Sequence, residues 1–407
     1  MKIITADYIY SNGNYLQNHA IAFEEDIKEI DSYEALVAKY PDAKRIKSAP
    51  YTVIYPGFIN PHVHLEFSAN KTSLRYGSFM PWLDSVIANR DDLLQECDNV
   101  MMEREINQML KSGITTFGAI SSFGTELQVC EAAPQRVVFF NELIGSNAMY
   151  ADMLYGDFLE RLEASTQCDE SSRIIPAIAI HAPYSVHPVI LQKAISEARK
   201  RKIPLTTHFL ESEAEREWLE KGEGEFKAFF EKYFNTSTPV TTIEEFMHAF
   251  DHYPALFTHA VWASREEFDH LAKKNHTIIH CPRSNRYLGV GRLPLEQLRE
   301  LGLPYAVATD GLSSNDSLSL LDEMRAALMM HHQAPLHPFA QKLIDSVTKN
   351  AAKALRLNTG EIAVGKAADF TLLTLPDLPQ SDEEIALWSI LHTKEAHAVY
   401  IEGEQYV

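Results

Sequence analysis

The feature that most constrains the fold of this chain is a regular alternation of short apolar runs with longer segments of helical composition. Eight runs rich in β-branched and apolar residues recur along the middle of the sequence, at 57–63, 114–119, 136–141, 174–180, 203–207, 256–258, 277–279 and 305–309. Helical patterns such as 189–201 and 265–274 lie between them. This alternation predicts an α/β fold, a parallel (β/α)8 TIM barrel.

Both ends of the chain differ from this pattern. Residues 1–56 and 360–407 are composed of short predicted strands and turns, among them 2–6, 8–10, 20–23, 370–375 and 397–402. We expect one small β-sandwich domain assembled from the two termini, and a catalytic barrel domain over 57–359. The alternative is that these strands lie at the edge of the barrel and form no separate unit.

Composition excludes several classes of protein. The net charge of −19 argues against a nucleic-acid partner, because phosphates require nearby lysine and arginine. No apolar run has the roughly 18 residues of a membrane span, and the first residues lack the apolar stretch of a signal peptide. The four cysteines are scattered without a CxxC motif, so we expect a reduced, cytoplasmic protein.

Five polar side chains stand at or just beyond the carboxyl ends of predicted strands. His62 and His64 are two residues apart on the first strand, a spacing that directs both imidazoles to one face. His208, His259 and Asp310 close the fifth, sixth and eighth strands. Strand carboxyl ends converge at the mouth of a barrel, where active sites are built. Imidazoles with a carboxylate suit Zn²⁺ or a similar divalent ion.

Glu211 follows His208 by three residues, on the loop that leaves the fifth strand. A carboxyl group beside a metal can donate a proton to a substrate when a dry pocket raises its pKa. We therefore predict that Glu211 is a catalytic acid. The alternative is an ordinary carboxylate at the start of the next helix.

These residues lie in motifs that resemble the amidohydrolase superfamily, in its adenosine-type deaminase and chlorohydrolase branch. The motifs are Pro-Gly-Phe-Ile-Asn-Pro-His-Val-His (56–64), His-Ala-Pro-Tyr (181–184), His-Phe-Leu-Glu (208–211), Cys-Pro-Arg-Ser-Asn (281–285) and Thr-Asp-Gly-Leu-Ser-Ser-Asn-Asp (309–316). The resemblance covers nearly the whole chain. Within the branch, the sequence is most similar to the aminodeoxyfutalosine deaminase group, which serves menaquinone synthesis in some bacteria.

The resemblance implies that His62, His64, His208 and Asp310 bind one divalent ion, most simply zinc with iron as the alternative, and that His259 lies beside the bound water. Relatives with two metals usually bridge them through a carboxylated lysine at the end of strand four. Here the fourth predicted strand has no lysine at its end. A single metal ion is therefore expected.

The resemblance also implies a set of substrate contacts. Trp82 and His181 would approach a nucleoside, although Trp82 could equally be a core residue. Ser284, Asn285 and Arg286 would line the mouth after strand seven, and Arg286 stands where family members often have Lys or Met.

The implied reaction is hydrolytic deamination at an aromatic C–NH₂ carbon. Glu211 would protonate the ring nitrogen next to that carbon, and His259 would help to orient the attacking water. Asp310 would accept the proton of the water and pass it to the leaving amine. Catalytic roles are thus predicted for Glu211, His259 and Asp310.

The expected substrate is an adenine nucleoside modified on its 5′ side, with 6-amino-6-deoxyfutalosine as the first choice. Its benzoate would need a cation, for which Arg286 or Arg283, with Tyr287, is available. The alternatives are an S-adenosylhomocysteine, methylthioadenosine or adenosine deaminase, a guanine deaminase or a chlorohydrolase. A ring-hydrolysing amidase and a non-enzymatic metal-binding protein are less consistent with these residues. A homodimer is an option that the sequence leaves open.

A long insertion between strands five and six holds an aromatic-rich segment, 218–235. We expect part of it to cover the substrate, with Gly222 and Gly224 as hinges. An amphipathic helix packed on the outside of the barrel is the alternative.

Overall fold

The computed structural model describes residues 1–169 and 172–407. Its strands, numbered along the chain, are β1 (Lys2–Thr5), β2 (Tyr8–Ser11), β3 (Asn14–Leu16), β4 (His19–Phe23), β5 (Ile27–Ser32), β6 (Lys44–Lys47), β7 (Thr52–Pro56), β8 (Phe58–Val63), β9 (Ile114–Ser121), β10 (Arg136–Leu143), β11 (Ile174–Ile180), β12 (Leu205–Phe209), β13 (Leu256–His259), β14 (Thr277–His280), β15 (Tyr305–Val307), β16 (Phe370–Thr374), β17 (Ala398–Ile401) and β18 (Glu404–Gln405).

The helices are α1 (Tyr33–Lys39), α2 (Phe79–Glu96), α3 (Asn99–Lys111), α4 (Leu127–Ala132), α5 (Ala151–Thr166), α6 (Pro188–Arg201), α7 (Glu213–Lys221), α8 (Glu225–Phe234), α9 (Ile243–Ala249), α10 (Arg265–Lys273), α11 (Pro282–Tyr287), α12 (Leu295–Leu301), α13 (Leu320–Met330), α14 (Leu336–Ser346), α15 (Lys349–Leu355) and α16 (Ile385–His392). Single 3₁₀ turns lie at Ala148–Tyr150 and Asp382–Glu384.

The eight strands β8 to β15 form one parallel sheet in chain order, so the predicted (β/α)8 barrel is confirmed. The first and last strands approach each other at the mouth. There the backbone N–H of Asp310 donates to the carbonyl of His62 at 3.1 Å. The amide of Asn60 donates to the hydroxyl of Thr309 at 2.8 Å. These two bonds fix the eighth strand end, which carries Asp310, against the first, which carries His62.

The barrel strands begin within two residues of the predicted positions and differ more at their ends. The third strand, β10, runs to Leu143, two residues beyond the predicted end. Asn141 and Glu142, at and just after the predicted end, are polar, but both side chains are buried. Asn141 remains inside the sheet because its amide donates to the hydroxyl of Ser165 at 2.8 Å.

The barrel helices are amphipathic, and α6 shows how the sequence produces this. Pro188 occupies the first turn, where a missing N–H costs nothing, and the ring of His187 accepts the N–H of Val189. Five apolar residues at helical spacing are buried on one face: Ile190, Leu191, Ala194, Ile195 and Ala198. Three basic residues follow in the last turn, where they complement the helix dipole.

The terminal segments form two further sheets. One has the strand order β5-β4-β1-β6, and the other has the order β18-β17-β16-β7-β2-β3, which combines both chain ends. Apolar side chains from the two sheets, including Ile4, Ile21, Ile54 and Phe370, share one buried cluster. The terminal β-sandwich is therefore present. The division at 1–56, 57–359 and 360–407 stays a prediction.

Among the described helices, none combines the length and apolar character needed to cross a membrane.

Candidate active site

The predicted metal ligands meet at the mouth of the barrel. Nε2 of His64 lies 3.4 Å from Nε2 of His208. Oδ1 of Asp310 lies 3.7 Å from Nε2 of His62 and 3.6 Å from Nε2 of His64. His62 lies in β8, His64 follows directly after it, His208 lies in β12, and Asp310 follows β15. The structure therefore brings together all four residues that the sequence nominated.

These distances fit a divalent cation. Ligand atoms about 2.0–2.1 Å from a zinc-sized ion are separated by roughly 3.4 Å at tetrahedral angles, close to the observed spacing. Nε2 of His62 is buried and has no hydrogen-bond partner among the described residues. A buried nitrogen without a partner is costly unless something else binds it. The donor set and this nitrogen both fit one metal ion.

The imidazoles of His64 and His208 are held in the neutral form that metals bind. Burial, with the neighbouring His62, lowers the pKa of His64 to about 3. Burial and the surrounding histidines hold the pKa of His208 well below its usual value. Nδ1 of His208 donates to the carbonyl of His181 at 2.9 Å. This bond leaves Nε2 of His208 free to act as a ligand.

Asp310 is ionised and held in place by several donors. The hydroxyls of Ser284 and Ser314 donate to Oδ2 at 2.7 and 2.8 Å. Burial alone would raise the pKa of this carboxyl, but the adjacent histidines, with His62 foremost, hold it well below its usual value. Gly311 allows the close approach of this loop to β8, since a Cβ there would lie 2.8 Å from the Cβ of His64.

Glu211 and His259 form the opposite side of the site. Oε1 of Glu211 lies 3.6 Å from Nε2 of His259, which is itself 3.9 Å from Oδ2 of Asp310. Burial, with Asp310 and Glu215 nearby, raises the pKa of Glu211 well above its usual value. Burial lowers the pKa of His259 to about 4. These opposite shifts favour a protonated carboxyl at Glu211 beside a neutral imidazole at His259.

The loop carrying Glu211 is fixed by Glu215, which sequence reasoning did not identify. Its carboxylate accepts the backbone N–H of Leu210 at 3.0 Å and that of Glu211 at 2.8 Å. Ser212 caps α7 by accepting the N–H of Glu215 at 3.1 Å. The position of the acid therefore depends on the first turn of α7.

A cavity of about 1290 Å³ opens above these residues. Trp82 and His181 line it, and their contact with a substrate stays a prediction. The indole N–H of Trp82 donates to the carbonyl of Ser313 at 2.8 Å, which fixes its ring in the wall. Trp82 is only partly buried, so of the two readings the structure favours a wall residue over a core residue.

Three predicted substrate contacts lie outside the lining of this cavity, and their contact with a substrate stays a prediction. Among the described residues, those that line the cavity do not include Ser284, Asn285 or Arg286. Ser284 and Asn285 are fully buried and bind Asp310 and His259 instead. The reason is that α11 begins directly after β14, and its first turn directs these two side chains to neighbouring strand ends.

The aromatic segment 218–235 forms the end of α7 and the whole of α8. Phe226 is buried against Tyr184, with ring centroids 4.7 Å apart. The last turns of α8, including Phe230 and Phe234, line the cavity. The segment is therefore both packed on the barrel and part of the cavity wall. Its movement about Gly222 and Gly224 stays a prediction.

Glu142 is a second site residue that sequence reasoning missed. It lines the cavity next to His181 and His208, from the end of β10. The available signal was its position, an acidic residue directly after a buried apolar run, as for the other strand-end residues.

A (β/α)8 barrel whose mouth combines three histidines, an aspartate and a buried acid defines a hydrolase of the metal-dependent class. The family model of the Amidohydrolase family matches residues 53–405. The chain belongs to the amidohydrolase family.

Similar proteins are known over the full length. The chain is 46% identical over 407 residues to an aminodeoxyfutalosine deaminase of a Nitratiruptor species, and the match covers 100% of both chains. It is 37% identical to an adenosine deaminase of Helicobacter pylori, covering 96% of this chain and 95% of the relative. A crystal structure of Helicobacter pylori aminofutalosine deaminase in complex with methylthio-coformycin superposes with a TM-score of 0.95 at 36% identity, covering 100% of each chain. The expected enzyme class, a hydrolytic deaminase, is confirmed by these relatives.

Proposed function

We propose that this enzyme hydrolyses 6-amino-6-deoxyfutalosine to futalosine and ammonia, a step of menaquinone synthesis. The full-length similarity to an aminodeoxyfutalosine deaminase supports this substrate. The structural observation that carries the reaction type is the buried acid Glu211, 3.6 Å from His259 at the mouth of the barrel. A metal-binding protein without a reaction would not need a protonated carboxyl there.

The metal proposed for this site is one zinc ion held by His62, His64, His208 and Asp310. Three imidazoles and one carboxylate are a donor set that suits zinc, and iron is the second choice. A divalent ion bound there supplies a water molecule whose pKa is lowered toward neutrality.

The protons are moved by residues of this chain. Glu211 donates its proton to the ring nitrogen N1, so negative charge does not accumulate on the purine. Asp310 accepts the proton of the attacking water and returns it to the amine that leaves as ammonia. His259 is neutral, and its Nε2 orients the water by accepting a hydrogen bond from it. The C6–N bond breaks and a C6–O bond forms, and the second proton of the water passes from the new C6 hydroxyl to Glu211, which restores the acid and balances the hydrolysis.

The cavity has room for a nucleoside with an aromatic 5′ group. Leu83, Val86 and Ile87 of α2 give part of it an apolar wall. Two cations, Arg90 and Lys232, also line it, and both are about half exposed. We propose that they attract the benzoate of the substrate.

This pair replaces the cations expected from the sequence. Nε of Arg283 contacts Oε1 of Glu323 at 2.7 Å, and Nη1 contacts Oδ1 of Asp316 at 2.7 Å. Because Arg283 is buried in these ion pairs and does not line the cavity, it is a poor benzoate ligand. Arg286 is not among the residues that line the cavity.

The second candidate is a deaminase of adenosine, methylthioadenosine or S-adenosylhomocysteine. The similarity to an adenosine deaminase of Helicobacter pylori favours it. The same proton transfers would serve these substrates, because all contain adenine.

The test compares kcat/KM for aminodeoxyfutalosine, methylthioadenosine, S-adenosylhomocysteine and adenosine at fixed metal loading. We expect aminodeoxyfutalosine to be the best substrate. If adenosine or S-adenosylhomocysteine exceeds it by about tenfold, which corresponds to roughly 1.4 kcal/mol, the substrate assignment fails while the deaminase assignment stands.

A further inference from the structure

One oxygen atom of Glu142 has no partner although the residue is buried. Glu142 is 1% exposed at the end of β10. Its Oε2 accepts the hydroxyl of Ser122 at 2.5 Å. Its Oε1 has no hydrogen-bond partner among the described residues. Leaving a buried acceptor unpaired costs roughly 1–3 kcal/mol, so the position calls for a donor from outside the chain.

Neighbouring protein groups do not donate a hydrogen bond to Oε1 of Glu142. Nδ1 of His208 is 4.0 Å from Oε1, beyond hydrogen-bond distance, and it already donates to the carbonyl of His181 at 2.9 Å. The guanidinium of Arg161 donates to the backbone carbonyls of Glu142 and Ser121 at 2.8 and 3.1 Å. Glu142 therefore does not serve to orient His208 through a direct bond.

Two other buried carboxylates nearby, Glu66 and Glu126, differ from Glu142 in their hydrogen-bond partners or in their position relative to the cavity. Glu66 accepts the backbone N–H groups of Ser122 and Phe123 at 2.8 and 2.9 Å, so both of its oxygens are used. Glu126 also has an unpaired oxygen, but it is not among the residues that line the cavity. Of these three, Glu142 alone combines an unpaired oxygen with a place in the cavity wall.

We propose that Oε1 of Glu142 accepts a hydrogen bond from a hydroxyl of the nucleoside sugar. This inference rests on the proposed function. With the purine held at Glu211 and the histidine cluster, the sugar attached to its far ring must lie along the cavity wall. Glu142 lines that wall next to His181 and His208. A carboxylate oxygen can only accept, and the vicinal hydroxyls of ribose are donors. Glu142 is thus a specificity-determining residue for ribonucleosides over deoxynucleosides.

The experiment measures kcat/KM for adenosine, 2′-deoxyadenosine and 3′-deoxyadenosine, with metal content determined for every protein. We expect the wild-type enzyme to prefer adenosine over at least one deoxynucleoside by roughly 10- to 100-fold. In Glu142→Ala this preference should fall to about twofold or less, because the loss falls mainly on adenosine. Glu142→Gln keeps the shape of the side chain and a weaker acceptor, so its preference should be intermediate. Glu126→Gln is the matched buried control and should keep the wild-type preference.

Several results would overturn the inference. If the wild-type enzyme has the same kcat/KM for all three nucleosides, it does not recognise the sugar hydroxyls. If both Glu142 variants lose metal and lower kcat/KM equally for all three, Glu142 acts on His208 and not on the sugar. In both cases a retained deaminase activity leaves the proposed function standing. Absence of activity toward these nucleosides and toward aminodeoxyfutalosine, with metal bound, would refute the proposed function and the inference together.

Discussion

Oδ1 of Asn285 lies 2.9 Å from Nδ1 of His259, with both side chains buried. With Oδ1 as the acceptor, Nδ1 carries the proton, and Nε2 of His259 presents a lone pair to Glu211 and Asp310. Asn285 therefore sets the tautomer of His259 through the bond at Nδ1. This relationship explains why Asn285 is not among the residues that line the cavity.

Asn285→Ala should lower kcat by roughly 10- to 100-fold, the usual effect of removing a group that orients a site histidine. The ring of His259 would lose its fixed tautomer while the metal ligands stay in place. Steady-state kinetics and elemental analysis of the same sample check this. Asn358→Ala, an exposed asparagine, serves as the control. A normal kcat in Asn285→Ala would show that the bond has no catalytic effect.

His208→Ala should remove the bound metal and the activity together. The reason is that Nε2 of His208 is one of the atoms spaced for coordination, 3.4 Å from Nε2 of His64. We expect one divalent ion per chain in the wild-type enzyme and near zero in the variant, by elemental analysis. His397→Ala, at an exposed histidine, should retain the metal. Two tightly held ions per chain would contradict the mononuclear site.

Glu211→Gln should keep the metal and lower kcat by roughly 10²–10⁴, the usual worth of a positioned acid. The amide cannot donate a proton to the ring nitrogen in the way that a carboxylic acid does. The exposed carboxylate Glu213, two residues away, provides the control variant Glu213→Gln. Loss of metal from Glu211→Gln would instead identify Glu211 as a ligand.

Replacing Arg90 and Lys232 together by Ala should raise KM for aminodeoxyfutalosine and leave KM for methylthioadenosine nearly unchanged. A half-exposed cation contributes about 1 kcal/mol or less to an ion pair, so the expected change is roughly 5- to 10-fold for the pair. Arg286→Ala should have no such effect, because Arg286 does not line the cavity. Equal changes for both substrates would mean that these cations do not recognise the carboxylate.

His276 should make the fold less stable as the pH falls. Burial lowers its pKa from 6.5 to about 4, and its Nδ1 accepts the N–H of Ala255 at 3.0 Å, a bond that protonation of this nitrogen would break. Between these pH values the unfolded chain binds the proton and the folded chain does not. The contribution of His276 to the free energy of unfolding is therefore fully present above pH 6.5 and is lost progressively toward pH 4.

Urea unfolding at pH 7.5 and pH 5.0 measures this contribution, which we expect to be about 2 kcal/mol between the two conditions. The loss of stability on acidification should be smaller by that amount in His276→Gln. The exposed His332→Gln should behave as the wild-type protein does. The same pH dependence in His276→Gln and the wild type would exclude His276 as the source.

The sequence determined the barrel and the residues at its mouth. The apolar runs that became β8 and β12 place His62, His64 and His208 at strand ends, and the rule that parallel strands share one carboxyl edge brings them together. Strand order and strand direction follow from the alternation of strands and helices along the chain. For this reason the metal ligands could be nominated without coordinates.

Only the tertiary structure decided which way the side chains after the strands point. Ser284, Asn285 and Arg286 are neighbours in the sequence, yet the first two face Asp310 and His259 and the third is absent from the cavity wall. The orientation is set by how α11 packs between strands that are distant in the chain.

The same holds for the buried acids. Glu142 and Glu215 have no motif that separates them from surface carboxylates, and only their burial and their neighbours reveal them. Periodicity encodes which face of a strand or helix is covered. It does not encode which partner from another part of the chain covers it, because that partner is chosen by packing of the whole barrel.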